Sequence, residues 1–240
     1  MKILRKKLAK TYMFSRTAAN LFRIHELRFA KKYLRISQND VAIDIACGIG
    51  LFTNYLFSKC KNAVGLDISL NNIKIAQHFR QNNIFFLQAD AENIPHPDKV
   101  FDILISICAL EHFSNPDRAI REFYRILKPQ GKILLTVDSL NNIKSQEFIN
   151  FHKKYCSVCN YFSENSIKQL LEKNGFDVIV VKSLLRSEIS IILCIFAFKI
   201  MNSPIIFNLF SILAYPITFI ADLFSFSKSG ITIGIYAKKR

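Results

Sequence analysis

Val41-Ala-Ile-Asp44-Ile-Ala46-Cys47-Gly48-Ile-Gly50 is the stretch whose reading decides the fold. An apolar run of strand length carries a carboxylate near its end, then turns through closely spaced small residues. Such a turn brings backbone N–H groups up to a ligand, because a side chain there would occupy the ligand's volume. Alone, a Gly-x-Gly also fits an ordinary tight turn, so its surroundings matter. A helical stretch follows to about Lys59. Ala63–Asp67, Ile84–Gln88, Phe101–Ile107 and Lys132–Val137 read as further strands. Helices are expected over Leu70–Arg80 and Pro116–Leu127, the latter closed by the Lys128-Pro-Gln-Gly131 turn. Glu164–Asn174 reads as a helix ended by Gly175, with a sixth strand at Phe176–Val181 and a seventh at Ile231–Ala237. Strands separated by helices imply an α/β, Rossmann-like parallel sheet wound on both faces.

Two further strands deliver polar groups to the edge where the first one turns. Gly65-Leu-Asp67 places a carboxylate beside the glycine loop, where it suits the paired hydroxyls of a ribose. Gln88-Ala-Asp90-Ala91-Glu92 ends the third strand with a second polar cluster. A nicotinamide-dependent dehydrogenase shares the acid about 20 residues past a glycine turn. Here, however, Gly48-Ile-Gly50-Leu-Phe-Thr53 lacks the third glycine that packs helix on strand, and Asp44 lies inside the first strand.

These pieces resemble class I S-adenosylmethionine-dependent methyltransferases, especially the branch of the ubiquinone and menaquinone biosynthesis methyltransferases. The matching stretches are Asp44–Gly50, Gly65-Leu-Asp67-Ile-Ser69, Asp90-Ala91-Glu92-Asn-Ile-Pro95 and Phe101-Asp102. Ala109-Leu-Glu111-His112-Phe113, Pro116-Asp117 and Arg125-Ile-Leu-Lys-Pro-Gln-Gly131 extend the likeness over roughly residues 38–183, and the last strand matches too. The resemblance implies seven strands with an antiparallel last one, and S-adenosylmethionine as cofactor. It also implies that Asp44 with the Ala46-Cys47-Gly48-Ile-Gly50 loop holds the methionine end. Asp67 would bond the ribose with Ile68 against the adenine, and Asp90 and the Ala91 backbone would meet the adenine ring. Ala46 stands where the family often has glycine, and Gln130 replaces the usual second glycine of its turn.

Methyl transfer from a sulfonium is an in-line displacement, so a base is needed only where the acceptor must lose a proton. Glu111 and His112 follow the fourth strand, and His112 is the candidate for that base; the alternative is that the pair shapes the loop or contacts the methionine end of the cofactor. Ser106-Ile-Cys-Ala109 stands where enzymes acting on exocyclic base amines carry an Asn/Asp-Pro-Pro-Tyr type motif, which argues against a nucleic-acid substrate. The six cysteines pair only once as C-x-x-C, at Cys156 and Cys159, so neither a disulfide scaffold nor a metal site is expected.

The composition adds a location. The chain of 240 residues is half hydrophobic and carries +15. Residues 1–35 hold eleven cations against Glu26 alone, a net +10 that attracts phosphates on nucleic acid or an anionic membrane. This basic segment, residues 1–36, reads as helical, with Leu4, Leu8 and Tyr12 at four-residue spacing. No apolar core and small-residue cleavage site follow it, so a cytoplasmic compartment is expected. The methyltransferase domain then comprises 37–185 and 230–240, with an apolar helical insertion over 186–229. Between Ile189 and Ala221 the only formal charge is Lys199. Pro204, Pro216, Asn202 and Asn208 argue for broken helices in that insertion, forming a lid or an interfacial hairpin. The expectation is a small, lipid-like or isoprenoid acceptor met at the inner face of an anionic membrane. An RNA-binding methyltransferase and a non-catalytic cofactor-binding partner are the alternatives.

Overall fold

The structure, a computed structural model, describes residues 21–140, 143, 146, 149, 150, 152, 153, 158–200, 203–227 and 229–240. The helices expected over the first 20 residues, and Cys156 of the C-x-x-C pair, lie outside these. In chain order the elements are α1 (Leu21–Tyr33), β1 (Val41–Ile45), α2 (Leu51–Leu56), β2 (Asn62–Asp67), α3 (Leu70–His78), β3 (Ile84–Gln88) and β4 (Phe101–Ile107). Then follow α4 (Pro116–Ile126), β5 (Leu127–Asp138), α5 (Glu164–Lys173), β6 (Phe176–Leu184), α6 (Glu188–Ile200), α7 (Pro204–Leu223) and β7 (Thr232–Lys239).

The strands form one seven-stranded sheet in the order β3-β2-β1-β4-β5-β7-β6. β7 alone runs antiparallel to its neighbours, so β6 ends on the same edge as β1, β2 and β4. The register Asp44 to Gly65 and Asp67 to Gln88 brings the carboxyl ends of β1, β2 and β3 level. The central strands are apolar throughout because both faces are covered. On one face α4 and α5 bury Ile120, Phe123, Ile167 and Leu171. On the other, α1, α2 and α3 bury Phe29, Leu56, Ile73 and Ala76. Polar side chains fix the helix starts: Ser69 accepts from Asn72 N at α3, and Asn115 accepts from Arg118 N ahead of Pro116 at α4.

Three expectations are corrected. β5 begins at Leu127, so Lys128–Gly131 lies within the strand as an irregularity where Phe101 pairs with Leu127 but Ile103 with Lys132. Gln130 there adopts φ 62° without ending the strand. β6 extends to Leu184, three residues past its expected end. Finally, α7 runs through Pro216 as one helix. Proline removes one N–H and crowds the preceding turn, yet buried Ala214 and Thr218 on either side keep that turn packed. Pro204 instead opens the helix, at a position where no N–H partner is needed.

Candidate active site

The β1–α2 loop holds three residues in the left-handed region within five positions: Ala46 (φ 56°), Gly48 (φ 55°) and Gly50 (φ 77°). Alanine is disfavoured there by Cβ sterics, so the surrounding bonds impose the conformation. Asp67 supplies them. Its carboxylate accepts from Gly48 N at 2.8 Å, Ser69 N at 2.9 Å and Asn72 Nδ2 at 3.2 Å, tying the loop to the end of β2. Asp44 is buried and accepts from Thr53 Oγ1 at 2.5 Å. Burial pushes its pKa up to about 7, with the Asp67 charge adding to this and Thr53 and Arg23 opposing it.

Two adjoining cavities open at this edge. One of about 270 Å³ is lined by Asp44, Cys47, Gly48, Phe52 and Asn72. The second, about 390 Å³, is lined by Asp67, Ile68, Asp90, Ala91, Cys108 and His112. Arg23, Ala46 and Ile107 line both. Arg23 ion-pairs with Glu26 at 2.9 Å. Burial would weaken its charge, but Glu26 and the other acids nearby outweigh that and its pKa is raised.

Beside the larger cavity, at the ends of β4 and β5, sits an acidic cluster centred on buried Glu111. Cys108 Sγ donates to Glu26 at 2.6 Å. The ligand-type atoms of Cys108, Glu111 and Asp138 all lie within 4.8 Å of one another. Asp138 faces His152 at 3.4 Å, and His152 faces Tyr161 at 3.1 Å. Glu111 is fully buried and neither carboxylate oxygen has a hydrogen-bond partner among the described residues. Burial, reinforced by the Asp138 charge, raises its pKa well above the usual carboxylate value. An unmade hydrogen bond of this kind costs about 1–3 kcal/mol.

Comparison with known proteins agrees with this geometry. Residues 43–135 match a family described as a methyltransferase domain. The chain is 31% identical over 185 residues to a demethylmenaquinone methyltransferase of Lactobacillus johnsonii, covering 65% of this chain and 75% of that one. The chain belongs to the class I S-adenosylmethionine-dependent methyltransferases.

It is also 31% identical over 124 residues to the ubiquinone/menaquinone biosynthesis C-methyltransferase of Escherichia coli, spanning 48% of this chain and about half (49%) of that relative. Among solved structures, an S-adenosylmethionine-dependent methyltransferase of Thermotoga maritima, titled a possible histamine N-methyltransferase, superposes with TM-score 0.64 at 21% identity. That match covers 100% of this chain and 98% of the other. A 4+2 cyclase superposes with TM-score 0.63 at 19% identity, covering 91% and 80%. These likenesses carry the fold and no substrate.

The cofactor of this methyltransferase is S-adenosylmethionine. The cavity fits it on one direct test: a Cβ on Gly48 would meet no protein atom within 4 Å, so the glycine leaves open space beside the lining. Asp44, Ala46, Cys47, Gly48, Asp67, Ile68, Asp90, Ala91 and His112 all line one of the two cavities. Gly50 does not. It is buried, and a Cβ there would sit 2.5 Å from the Phe86 ring, so packing requires the glycine. Asp67 lines the larger cavity while its oxygens also hold loop amides. Sequence reasoning missed Arg23, which it counted among surface cations. It noted Glu111 only as the partner of His112 after the fourth strand and did not foresee its burial, although neighbouring Leu110 and Phe113 were a signal that the residue turns inward.

Proposed function

We propose that this methyltransferase acts on a lipid-like or isoprenoid acceptor that it meets at an anionic membrane surface. Asp67 and Ile68 would hold the ribose and adenine of the cofactor, and Asp90 with the Ala91 backbone the adenine edge. Asp44 and the Ala46–Gly48 loop would hold the methionine end, with Arg23 facing its carboxylate. When bound, S-adenosylmethionine supplies a methyl group on a positively charged sulfur. The chain's own contribution is alignment, which in a displacement provides most of the acceleration. His112, exposed on the cavity wall, would take a proton from an acceptor that carries one. Glu111, kept protonated by burial, would donate a hydrogen bond to a polar atom of an acceptor reaching the cluster.

The observation that carries the membrane part is the outer face of α6 and α7. Ile192, Phe196, Leu209, Leu213, Ile217 and Leu223 are all exposed, and apolar side chains gathered on one helix pair in this way are characteristic of a face that meets a partner or a membrane. Ile206–Leu223 is long and apolar enough to cross a bilayer. Yet β7 returns to the sheet directly after α7, and Thr218 faces buried His25 of α1 at 3.0 Å. A helix pair lying in the interface suits these constraints. Relatives named for menaquinone and ubiquinone biosynthesis support the acceptor class.

The test supplies the protein with methyl-labelled S-adenosylmethionine and, separately, membrane lipid extract or total RNA. Label in the organic phase is expected. Label in RNA, with none in lipid, would overturn the reading in favour of an RNA substrate.

A further inference from the structure

A third cavity, of about 270 Å³, shares no lining residue with the first two and lies between α1, the end of β6 and α7. Its walls carry four cations, Arg28, Lys32, Lys182 and Arg186, against one carboxylate, Asp222. That carboxylate is already engaged. One oxygen accepts from Arg186 N at 2.9 Å, Ser187 N at 2.9 Å and Ser190 Oγ at 2.7 Å, which tethers the start of α6 to the end of α7. The cations find weaker partners. Arg28 donates to the Tyr215 hydroxyl at 2.9 Å and stacks over Phe219 at 3.8 Å. Arg186 donates to the carbonyls of Asp222 and Ser227, and Lys32 sits over the Tyr33 ring.

Among the described residues none of the four makes an ion pair. The concentration of like charge shows in Lys182, whose pKa is lowered by burial and then by Arg186, Lys32 and Arg28, with Asp222 opposing. His25, on the same wall, is brought down to about 4 by burial, so it adds no charge at neutral pH. A cavity with this excess of cations is a site for an anion.

The rim says which anion. Leu223 lines the cavity and also belongs to the exposed apolar face of α7, where it is 63% exposed. The cations therefore adjoin apolar surface, as phosphate adjoins acyl chains in a phospholipid.

We propose that this cavity binds the phosphate of an anionic glycerophospholipid headgroup, while the α6–α7 face beside it rests on the acyl layer. The site rests on the membrane reading given above and deepens it by naming the lipid class. Helix α1 then has two roles along one length, presenting Arg23 to the cofactor cavities and Arg28 and Lys32 to the headgroup. A zwitterionic choline headgroup fits poorly, because its ammonium would face the same four cations.

The test is co-sedimentation of the full chain with phosphatidylglycerol or phosphatidylcholine vesicles, for three proteins at one ionic strength. They are the wild type, Lys32→Gln/Lys182→Gln, and Lys59→Gln/Lys61→Gln at the opposite edge of the sheet. The side chain of neither cavity lysine makes a hydrogen bond to protein among the described residues, so folding should survive, as unchanged S-adenosylmethionine binding would show. The cavity variant is expected to lose roughly thirty-fold in partitioning to phosphatidylglycerol, at about 1 kcal/mol per cation. The control pair should lose less than three-fold. Equal losses in both variants, or none in the cavity variant, would overturn the site while leaving membrane docking intact. Absence of wild-type binding to either vesicle would overturn the docking reading and the site with it. Glycerol 3-phosphate that bound the cavity tightly in calorimetry, while vesicle binding ignored the lysines, would assign the cavity to a soluble phosphate instead.

Discussion

The loop after β1 and the helix pair before β7 occupy the same edge of one sheet and are held there by opposite means. Around the loop, polar atoms point inward. Asp44 and Asp67 are buried, their oxygens receive Thr53, Gly48, Ser69 and Asn72, and the backbone passes through the left-handed region three times. In the helix pair, apolar side chains point outward, and a few inward polar groups do the tethering: Ser187, Ser190, Thr218 and Asp222. The first arrangement fixes donors and acceptors for a small polar ligand before it arrives, which stores strain. The second leaves a surface whose natural partner is another apolar phase. Position on the sheet edge is shared; the sign of the exposed chemistry separates the cofactor cavities from the proposed docking face.

The contrast predicts very different tolerance to substitution. The largest effect is expected at Gly50→Val. A β-branched side chain at φ 77° is strained, and its Cβ would meet Phe86 Cζ at 2.5 Å. Destabilisation of about 3 kcal/mol or more follows, a fall in melting temperature of roughly 6–12 °C for a chain of this size. A melting curve that does not move would break the claim that packing demands this glycine.

Next comes the buried carboxylate. Asp44 titrates at about 7 when folded and near the ordinary 3.8 when unfolded. Between those values the folded state holds the extra proton, so the contribution of Asp44 to stability is greatest below pH 4 and falls as pH rises to 7. The loss is on the order of a few kcal/mol. Glu111 acts in the same direction, so the measurement is a difference: urea unfolding at pH 4, 5.5 and 7.5 for the wild type and Asp44→Asn. The variant should show a shallower decline across that window. Identical slopes would mean Asp44 is already ionised in the folded protein.

How much of this was legible follows from what kind of signal each feature leaves. β1, β3 and β4 were readable to the residue, because apolar runs buried on both faces and bounded by turn residues have no competing pattern. Asp67 and Asp90 were singled out because their spacing belongs to a recurring site, and the fold sets both on the wall of one cavity. Arg23 was not, since a cation in a basic run gives no sign of which side of the helix faces the core; only Glu26, three residues on, hinted at an inward pair. The continuous α7 was missed because Pro216 breaks isolated helices, and the contacts that keep this one intact lie on α1 and α6.

Asp67→Ala is the third substitution in size. Cofactor affinity is expected to fall roughly thirty-fold by calorimetry, since a charged acceptor is worth about 1.5–3 kcal/mol. The sequence alone suggested a clean loss of a ribose contact. With Gly48 and Ser69 bonded to the same carboxylate, the loop should loosen too, so the melting temperature falls alongside affinity. Asp67→Asn, which keeps one acceptor oxygen, should recover part of both. Loss of affinity with no thermal shift would mean that the loop holds its shape without Asp67.

The smallest effect on the fold is expected where the molecule is most apolar. Leu209 and Leu213 are 60% and 63% exposed and lie one turn apart on α7. Glutamine is nearly as good a helix former as leucine, so Leu209→Gln/Leu213→Gln should shift stability by no more than about 0.5 kcal/mol per site. If these side chains are instead packed against another protein copy, the variant should change the oligomeric state seen in sedimentation velocity and leave vesicle binding alone. If they rest on lipid, removing two leucines from the acyl layer should lower vesicle partitioning at least ten-fold, on the order of 1.5–3 kcal/mol per buried side chain. That loss should appear on phosphatidylcholine and phosphatidylglycerol alike, because apolar contact does not depend on headgroup charge. A destabilisation of several kcal/mol would show that the face is part of the core, and the contrast between the two regions would then collapse.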